Sequence, residues 1–300
     1  MATLRQTFSD IASAIRAKGV SGTMKPIEMA SKIGEIQTGG GSQDYGYLTF
    51  TAEENTTLTL NQNGGIEPHK LLKSTDGVNW TKWENPSTNG ISLNVGESVY
   101  LKADEDALNR TATEANYYNY FSSTGKINCS GDIMSIVNLS NSNYDYLFGF
   151  LFKGMINLTN VPELKTTTSI NRCYSNMFDG CESLIKPPSV VYVNSSDAGC
   201  NGMFYNCNKI TYAPKLPATT LSNSCYQWMF GACSSLTTAP ELPATILTPW
   251  CYYSMFNNCT SLTQAPVLPA TTLANSCYYY MFDACSSLTK APDLPATTLD

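Results

Sequence analysis

The chain has 300 residues, of which only 14 % are charged, and its 18 basic and 24 acidic side chains give a formal net charge of −6. This length suggests two or three domains, and the charge leaves no basic patch of the kind that nucleic-acid binding needs. No apolar run approaches the roughly 20 residues that span a bilayer. We therefore expect neither a nucleic-acid partner nor membrane insertion.

Residues 1–38 predict two short helices. Thr7 and Asp10 resemble a capping box, Gly19 would end the first helix, and Pro26 suits the first position of the second. The apolar positions of the two helices are Phe8, Ile11, Ile15, Ile27 and Ile33. A helical hairpin this small cannot bury enough surface to be stable alone, so we expect these side chains to dock on another surface. The sequence GGGS at 39–42 predicts a flexible joint.

The sequence TFSDIASAIRAKG, followed by SGTMKPIEMASKIGEI, resembles a segment found near the N-termini of phage tail and baseplate-associated proteins. The resemblance implies a virion anchor whose partners, through residues 1–38, are phage tail or baseplate proteins. The alternative is an ordinary helical hairpin packed on the next domain. Residues 1–20 also lack the continuous apolar stretch of a secretory signal. We expect synthesis in the host cytoplasm and a place in the virion tail, with the bacterial cell surface as the alternative.

Residues 43–150 predict an all-β, sandwich-like domain of seven or eight strands, because apolar and polar residues alternate between turns that contain glycine. The run STDGVNW at 74–80 resembles the Asp-box turn of sialidases, and we interpret it as a structural hairpin rather than as part of a glycan enzyme. The acidic pairs and triplets at 53–54 and 104–106 could ligate calcium. Solvated loops are the preferred interpretation.

Residues 151–300 carry a 26-residue repeat. The spacing is kept by three sets of residues: Phe152, Phe178, Phe204, Phe230, Phe256 and Phe282; Leu158, Leu184, Ile210, Leu236, Leu262 and Leu288; and Pro162, Pro188, Pro214, Pro240, Pro266 and Pro292. A fixed period of this size predicts a solenoid, in which each coil buries its apolar side against the next and each phenylalanine stacks on its successor. The segment Leu236–Leu242 predicts a short strand or an extended turn, and the spacing within Cys251–Cys259 predicts a short helix or 3₁₀ segment.

The runs MFGACSSLTTAPELPATIL, MFNNCTSLTQAPVLPATTL and MFDACSSLTKAPDLPATTL resemble the leucine-rich repeats of the Treponema pallidum type, found in BspA-like bacterial surface proteins and in some bacteriophage proteins. The resemblance covers roughly residues 150–300 and departs from the family pattern at 163–171 and 189–199. It implies a leucine-rich-repeat α/β solenoid with an extended binding surface.

The predicted fold class is accordingly multi-domain. An N-terminal α-helical hairpin with its linker occupies 1–42, an all-β sandwich-like domain 43–150, and a leucine-rich-repeat α/β solenoid 151–300. The last repeat, which begins at Phe282, stops after 19 of its 26 residues and has no polar cap, so we expect the natural solenoid to continue past Asp300.

The eleven cysteines fall mainly into two sets that keep the repeat spacing. Cysteines at one repeated position would have parallel Cβ vectors, which is poor disulfide geometry, so we expect reduced, buried thiols. The chain has no C-x-x-C motif, and its only histidine is His69. We therefore predict no metal site.

Nothing in the sequence predicts catalysis. His69 has no nucleophile motif near it, and the common hydrolase and phosphate-binding motifs are missing. A glycosidase carboxylate pair stays open, since its members can be far apart in sequence. We expect a protein that is not an enzyme and has no cofactor.

Aromatic residues at variable repeat positions are the candidate binding site. Trp228, Tyr253, Tyr279 and Tyr280 follow a tyrosine position that repeats in phase and that we interpret as structural. Exposed Trp and Tyr on neighbouring coils would suit sugars or a protein partner; packing along the solenoid edge is the alternative.

The functional expectation is a phage tail-fibre or baseplate-attached adhesin, a homotrimer, that binds a glycan or protein of the bacterial host surface through its repeats. The first alternative is a bacterial cell-surface leucine-rich-repeat adhesin that binds host matrix or other cells. A depolymerase would require a catalytic portion beyond this sequence.

Overall fold

The computed structural model describes residues 46–63, 70–104, 112–114, 117–137, 146–164, 172–192 and 198–299. The chain divides into two compact units, Met1–Tyr47 and Leu48–Asp300. Apart from one 3₁₀ turn, Ile133–Ile136, the described residues form strands, turns and loops, and none of them lies in an α-helix. The predicted fold class, which combined a helical hairpin with an α/β solenoid, is therefore wrong, and the described chain is all-β. The hairpin itself, with Phe8, Ile11, Ile15, Ile27 and Ile33, lies outside the described residues.

The described strands are short. In chain order they are β1 (Leu48–Ala52), β2 (Thr56–Asn63), β3 (Leu71–Ser74), β4 (Thr81–Lys82), β5 (Ile91–Leu93), β6 (Ser98–Ala103), β7 (Ala112–Glu114), β8 (Tyr117–Ser123), β9 (Ile127–Ser130), β10 (Leu158–Asn160), β11 (Thr272–Leu273) and β12 (Thr298–Leu299). One sheet has the order β10-β9-β1-β6-β3-β4, and a second has the order β5-β2-β8-β7. β11 and β12 form a separate parallel pair.

The two larger sheets pack on each other through their apolar sides. Strand β2 alternates buried with half-buried side chains over most of its length, and β5 buries Ile91 and Leu93 on either side of an exposed Ser92. Such alternation gives a sheet one apolar face, which must be covered. Phe50 of β1 and Phe121 of β8 meet between the sheets, with ring centroids 4.9 Å apart.

Each 26-residue repeat forms one coil, and successive coils stack. The rings of Phe152, Phe178, Phe204, Phe230, Phe256 and Phe282 lie one on another at centroid distances of 5.4, 5.4, 5.6, 5.7 and 5.7 Å, all within 13° of parallel. The predicted stacking of these phenylalanines is confirmed. All of them except Phe282 are fully buried, so the stack forms one continuous apolar interior.

The segments predicted as short helices are instead runs of tight turns. These turn segments are residues 146–154, 172–180, 198–206, 224–232, 250–258 and 276–284, and in each the first, fifth and ninth residues have positive φ. Alternate N–H groups bond to the carbonyl three residues back, as Met177 does to Tyr174 at 3.1 Å. The intervening N–H groups bond to the next coil, as Phe152 and Phe178 do to Met177 and Met203 at 3.0 and 2.9 Å. A residue of positive φ at every fourth position interrupts any helix.

The other side of each coil is nearly extended, but it forms few ladders. Successive coils are joined there by single parallel bridges such as Tyr212–Thr238 and Thr238–Gln264, and among the described residues of the coils β11 and β12 are the pair that extends to two residues. The strand predicted at Leu236–Leu242 is therefore reduced to one bridge position. Proline explains this, because Pro240 and Pro243 lack the N–H that a longer ladder needs.

The sandwich and the coils share one core. Phe121 stacks on Phe152 at 5.7 Å, and the N–H of Phe121 donates to the carbonyl of Leu151 at 2.8 Å. Strand β10 belongs to the first coil and pairs with β9 of the larger sheet. The sandwich thus covers the first coil in the way that a capping unit covers the end of a repeat array. The predicted domain boundary at residues 150 and 151 stays a prediction.

Candidate functional site

Five aromatic side chains on four successive coils form one surface cluster, which we call the aromatic surface: Tyr205, Trp228, Tyr253, Tyr279 and Tyr280. Trp228 meets the edge of Tyr205 at 5.8 Å and is tilted against Tyr253 at 6.0 Å. Tyr253 stacks on Tyr279 at 5.6 Å, and Tyr279 lies 4.1 Å from Tyr280. The structure therefore brings together all four predicted binding residues, and it adds Tyr205.

The aromatic surface is exposed at Tyr205, Tyr279 and Tyr280 and half-buried at Trp228 and Tyr253, whereas the neighbouring tyrosine position is largely buried. Tyr279 and Tyr280 are 50 % and 54 % exposed. Tyr226 and Tyr252 are each 1 % exposed, and their rings stack at a centroid distance of 5.8 Å in the interior of the coils. Each precedes a variable position in its coil. Two tyrosine sets that are adjacent in sequence thus have different roles, because one faces the core and the other faces solvent.

Tyr205 could not be recognised from the repeat pattern. Its equivalents in the adjacent coils are Asp179 and Gly231, so its position carries no aromatic column. The missing side chain of Gly231 leaves room for the rings of Trp228 and Tyr205 to meet. A Cβ at this position would lie 2.9 Å from Cε3 of Trp228 and 2.9 Å from Cδ2 of Tyr205. Variation at this position is the only sequence signal that could have indicated the contact.

Two members of the aromatic surface have a backbone conformation that is unfavourable for a bulky residue. Trp228 and Tyr280 have φ of 56° and 54°, at the repeat position that holds Asn176 and Gly202 in earlier coils. Asn and Gly tolerate this left-handed region, whereas other residues lose about 1–2 kcal/mol there. Because the same conformation recurs at this position in every turn segment, it belongs to the coil and is not specific to the aromatic surface.

Polar groups border the aromatic surface. Asn201 donates through Nδ2 to Oε1 of Gln227 at 2.9 Å, and Asn257 donates through Nδ2 to Oδ2 of Asp283 at 3.0 Å. A hydrogen bond to the Tyr279 hydroxyl and, more weakly, the charge of Asp283 raise the pKa of Tyr280. Aromatic rings with amide and carboxylate neighbours can stack on an apolar face and hydrogen-bond hydroxyl groups at its edge.

The thiols are placed in the interior and carry no reactive chemistry. All eleven cysteines are free and buried. The thiols of Cys181, Cys207, Cys233, Cys259 and Cys285 donate to the carbonyls of Phe152, Phe178, Phe204, Phe230 and Phe256 at 3.0–3.1 Å. Burial raises the pKa of Cys173, Cys225 and Cys251 to about 12. A thiol with such a pKa is a poor nucleophile at neutral pH.

The acidic positions of the β-sandwich are occupied by contacts within the protein. Asp76 accepts the backbone N–H groups of Val78 and Asn79 at 2.9 and 2.7 Å, and these bonds hold its pKa well below the usual range. Glu54 pairs with Lys126 at 2.7 Å, and Glu53 accepts the hydroxyl of Thr159 at 2.9 Å. These contacts are structural. In the part of the chain that the structure describes, no three His, Cys, Asp or Glu side chains are grouped to hold a metal ion.

Several residues with a predicted role lie outside the part of the chain that the structure describes. His69 and residues 105–106 lie outside the described residues, as do the anchoring positions in 1–38. Within the described ranges no helix has the length and apolar character to cross a membrane.

Comparisons with known proteins give no relatives. No family model matches the chain, and no curated protein or solved structure is detectably similar to it.

Proposed function

We propose that this protein is an adhesin of a phage tail fibre or baseplate, and that its aromatic surface binds the surface of the bacterial host. The observation that carries the proposal is the aromatic surface itself, in which exposed and half-buried Tyr and Trp side chains from four coils contact one another. Large rigid aromatic side chains lose little entropy on binding and dominate contact energies.

The coil stack supports such a site because it is rigid. Each turn segment bonds to the next through alternate N–H groups. The N–H of Trp228 donates to the carbonyl of Tyr253 at 2.9 Å, and the N–H of Ser254 donates to the carbonyl of Tyr279 at 2.9 Å. Neighbouring members of the site are therefore fixed relative to each other before a ligand arrives. Such pre-organisation lowers the entropic cost of association.

The attachment to a virion is proposed from the sequence. Residues 1–38 resemble segments of phage tail and baseplate-associated proteins, and their apolar positions would dock on such a partner. In this proposal the protein is a homotrimer, is made in the host cytoplasm and works in the virion tail. The chain acts by binding and has neither a catalytic role nor a cofactor.

A bacterial cell-surface adhesin is the second candidate. It is favoured by the resemblance of the repeats to those of BspA-like surface proteins. Attachment separates the two: labelled protein that co-sediments with tail assemblies through residues 1–38 supports the first, and cell-wall retention in the producing bacterium supports the second.

The binding role is tested by counting labelled protein on cells of a panel of bacterial strains. Replacing Trp228, Tyr253 and Tyr279 together by alanine should lower the apparent affinity for a bound strain at least about tenfold, because hot-spot aromatics each contribute more than 1 kcal/mol. The matched control replaces Tyr192, Tyr212 and Val267, which are exposed outside the aromatic surface. Circular dichroism would check that both variants fold. Equal binding by the test variant and the unaltered protein would refute the proposal.

A further inference from the structure

The aromatic surface and its border have one sign of charge. Among the contacts described above, Asp283 is the only charged side chain in or beside the cluster; it is exposed, and its N–H donates to the carbonyl of Tyr280 at 3.2 Å, which places the two residues in one turn. Asn257 holds Oδ2 of Asp283, and no hydrogen bond to Oδ1 is present among the described residues. One carboxylate oxygen is therefore free to accept a hydrogen bond from a ligand beside the tyrosine rings.

Among the described residues, no lysine forms an ion pair with Asp283. Lys153 occupies the repeat position that Tyr205 and Asp283 share, but it lies two coils before Tyr205, the first member of the aromatic surface. Its ammonium group pairs with the carboxylate of Asp179 at 2.9 Å. Lys215 and Lys290 line grooves between proline runs, each with an acidic side chain, Glu241 or Asp293, in the same groove. The Asp283 carboxylate beside the aromatic surface is thus left without a lysine partner among the described residues.

The rings add to the negative potential of that carboxylate. The face of an aromatic ring carries negative electrostatic potential and attracts cations, most strongly for Trp and Tyr. Trp228 and Tyr280 are tilted by 59° and 84° against Tyr253, so their faces are not covered by a parallel stack with it. A positive group that approaches Tyr280 would meet both an aromatic ring and the Asp283 carboxylate.

We infer that the aromatic surface binds a saccharide that carries a protonated amine, in preference to a neutral or acidic saccharide of the same length. This inference rests on the proposed function and specifies its ligand class. The sugar ring packs on the aromatic side chains, and the ammonium group lies between the Tyr280 ring and Asp283. An acidic polymer would be repelled by the same carboxylate.

The experiment compares two probes that share one backbone: the hexamer of glucosamine, which carries amines, and the hexamer of N-acetylglucosamine, which is neutral. Binding to the full chain is measured by calorimetry at low salt and at a pH at which the amines are protonated. We expect the amine hexamer to bind about tenfold more tightly, which is the effect of one partly desolvated cation–aromatic contact with a carboxylate. The preference should shrink when salt is added, because exposed charges are screened.

Variants locate the effect. Asp283→Asn should lower the affinity for the amine hexamer about tenfold and so remove the preference between the two probes. Asp293→Asn, which removes the same charge from a proline groove, should change neither. Trp228→Ala should weaken both probes alike.

The binding measurements decide the ligand class, and the cell-binding assay decides the proposed function. Equal affinities, no affinity for either hexamer, or a preference that survives Asp283→Asn would overturn the inference. The proposed function is judged separately by the cell-binding assay. A protein that binds cells through Trp228 but does not distinguish the hexamers keeps its proposed function and loses the inferred ligand class.

Discussion

Phe121 of the β-sandwich lies on Phe152 of the first coil, with ring centroids 5.7 Å apart and ring planes within 26° of parallel. Phe50 contacts the same ring at 6.2 Å. The phenylalanine stack of the coils therefore begins inside the sandwich. Because this apolar contact joins the interior of the sandwich to that of the coils, the two parts should unfold together.

Replacing Phe152 by alanine tests this coupling. Phe152 is fully buried between the sandwich and the second coil, so its loss should lower the free energy of unfolding by about 3–5 kcal/mol. Denaturant unfolding followed by circular dichroism and by the fluorescence of tryptophan, including the buried Trp83, should give one shared transition. Phe282→Ala is the control, since Phe282 is only partly buried at the last coil and should cost less. Two separate transitions in the unaltered protein would contradict a shared core.

The repeat period predicted the interior well but the local backbone poorly. Identical residues at identical positions must stack when coils are in register, so the phenylalanine stack followed from spacing alone. The spacing of apolar residues in Cys251–Cys259 fits a helix, yet it fits consecutive turns of four residues equally over so short a stretch. The distinguishing signal was glycine or asparagine at Gly154, Gly180 and Asn206, which have φ of 71°, 74° and 59°.

Alkaline pH should destabilise the protein through its buried thiols. The pKa of Cys173, Cys225 and Cys251 is about 12 in the folded chain, against an ordinary value of 9.0. Above pH 9 the unfolded chain loses thiol protons that the folded chain keeps, so the free energy of unfolding falls as the pH rises toward 12. Each such thiol contributes a slope of about 1.4 kcal/mol per pH unit.

The slope is measured by denaturant unfolding between pH 8 and pH 11 in the presence of a reducing agent. Cys225→Ala should give a shallower slope than the unaltered protein. A slope that does not depend on Cys225 would show that its thiol does not contribute, and that tyrosine titration or other groups cause the loss.

Ala232 has φ of 59° at the position that Gly154 and Gly180 occupy in earlier coils. Glycine relieves about 1–2 kcal/mol of strain there and costs part of that in the entropy of the unfolded chain. Ala232→Gly should therefore raise the free energy of unfolding by up to about 1 kcal/mol, measured by denaturant unfolding. Ala239→Gly, at a residue without positive φ, should instead lower it by about 0.5–1 kcal/mol. Destabilisation of equal size in both variants would argue against strain at Ala232.

The site was predictable only where its residues repeat. Tyr253 and Tyr279 share one position and could be paired from sequence, and the structure stacks them at 5.6 Å. Tyr205 joins the cluster through a neighbour in the next coil, Gly231, whose missing side chain is what makes room. Gly231 occupies the same repeat position as Tyr205, and a contact created by the loss of a side chain at one copy of a position leaves no periodic pattern to detect.

Gly231→Ala should disturb the aromatic surface without touching its members. The added Cβ would lie 2.9 Å from both Trp228 and Tyr205, so one ring or both must move. We expect a loss of about 1–3 kcal/mol in the free energy of unfolding from overpacking and about tenfold weaker binding to cells. A changed tryptophan emission spectrum would report the displaced ring.

The double variant with Tyr205→Ala opens space beside the new methyl group and should recover part of the lost stability. If Gly231→Ala has neither effect, the close approach of these rings to Gly231 is not what organises the aromatic surface.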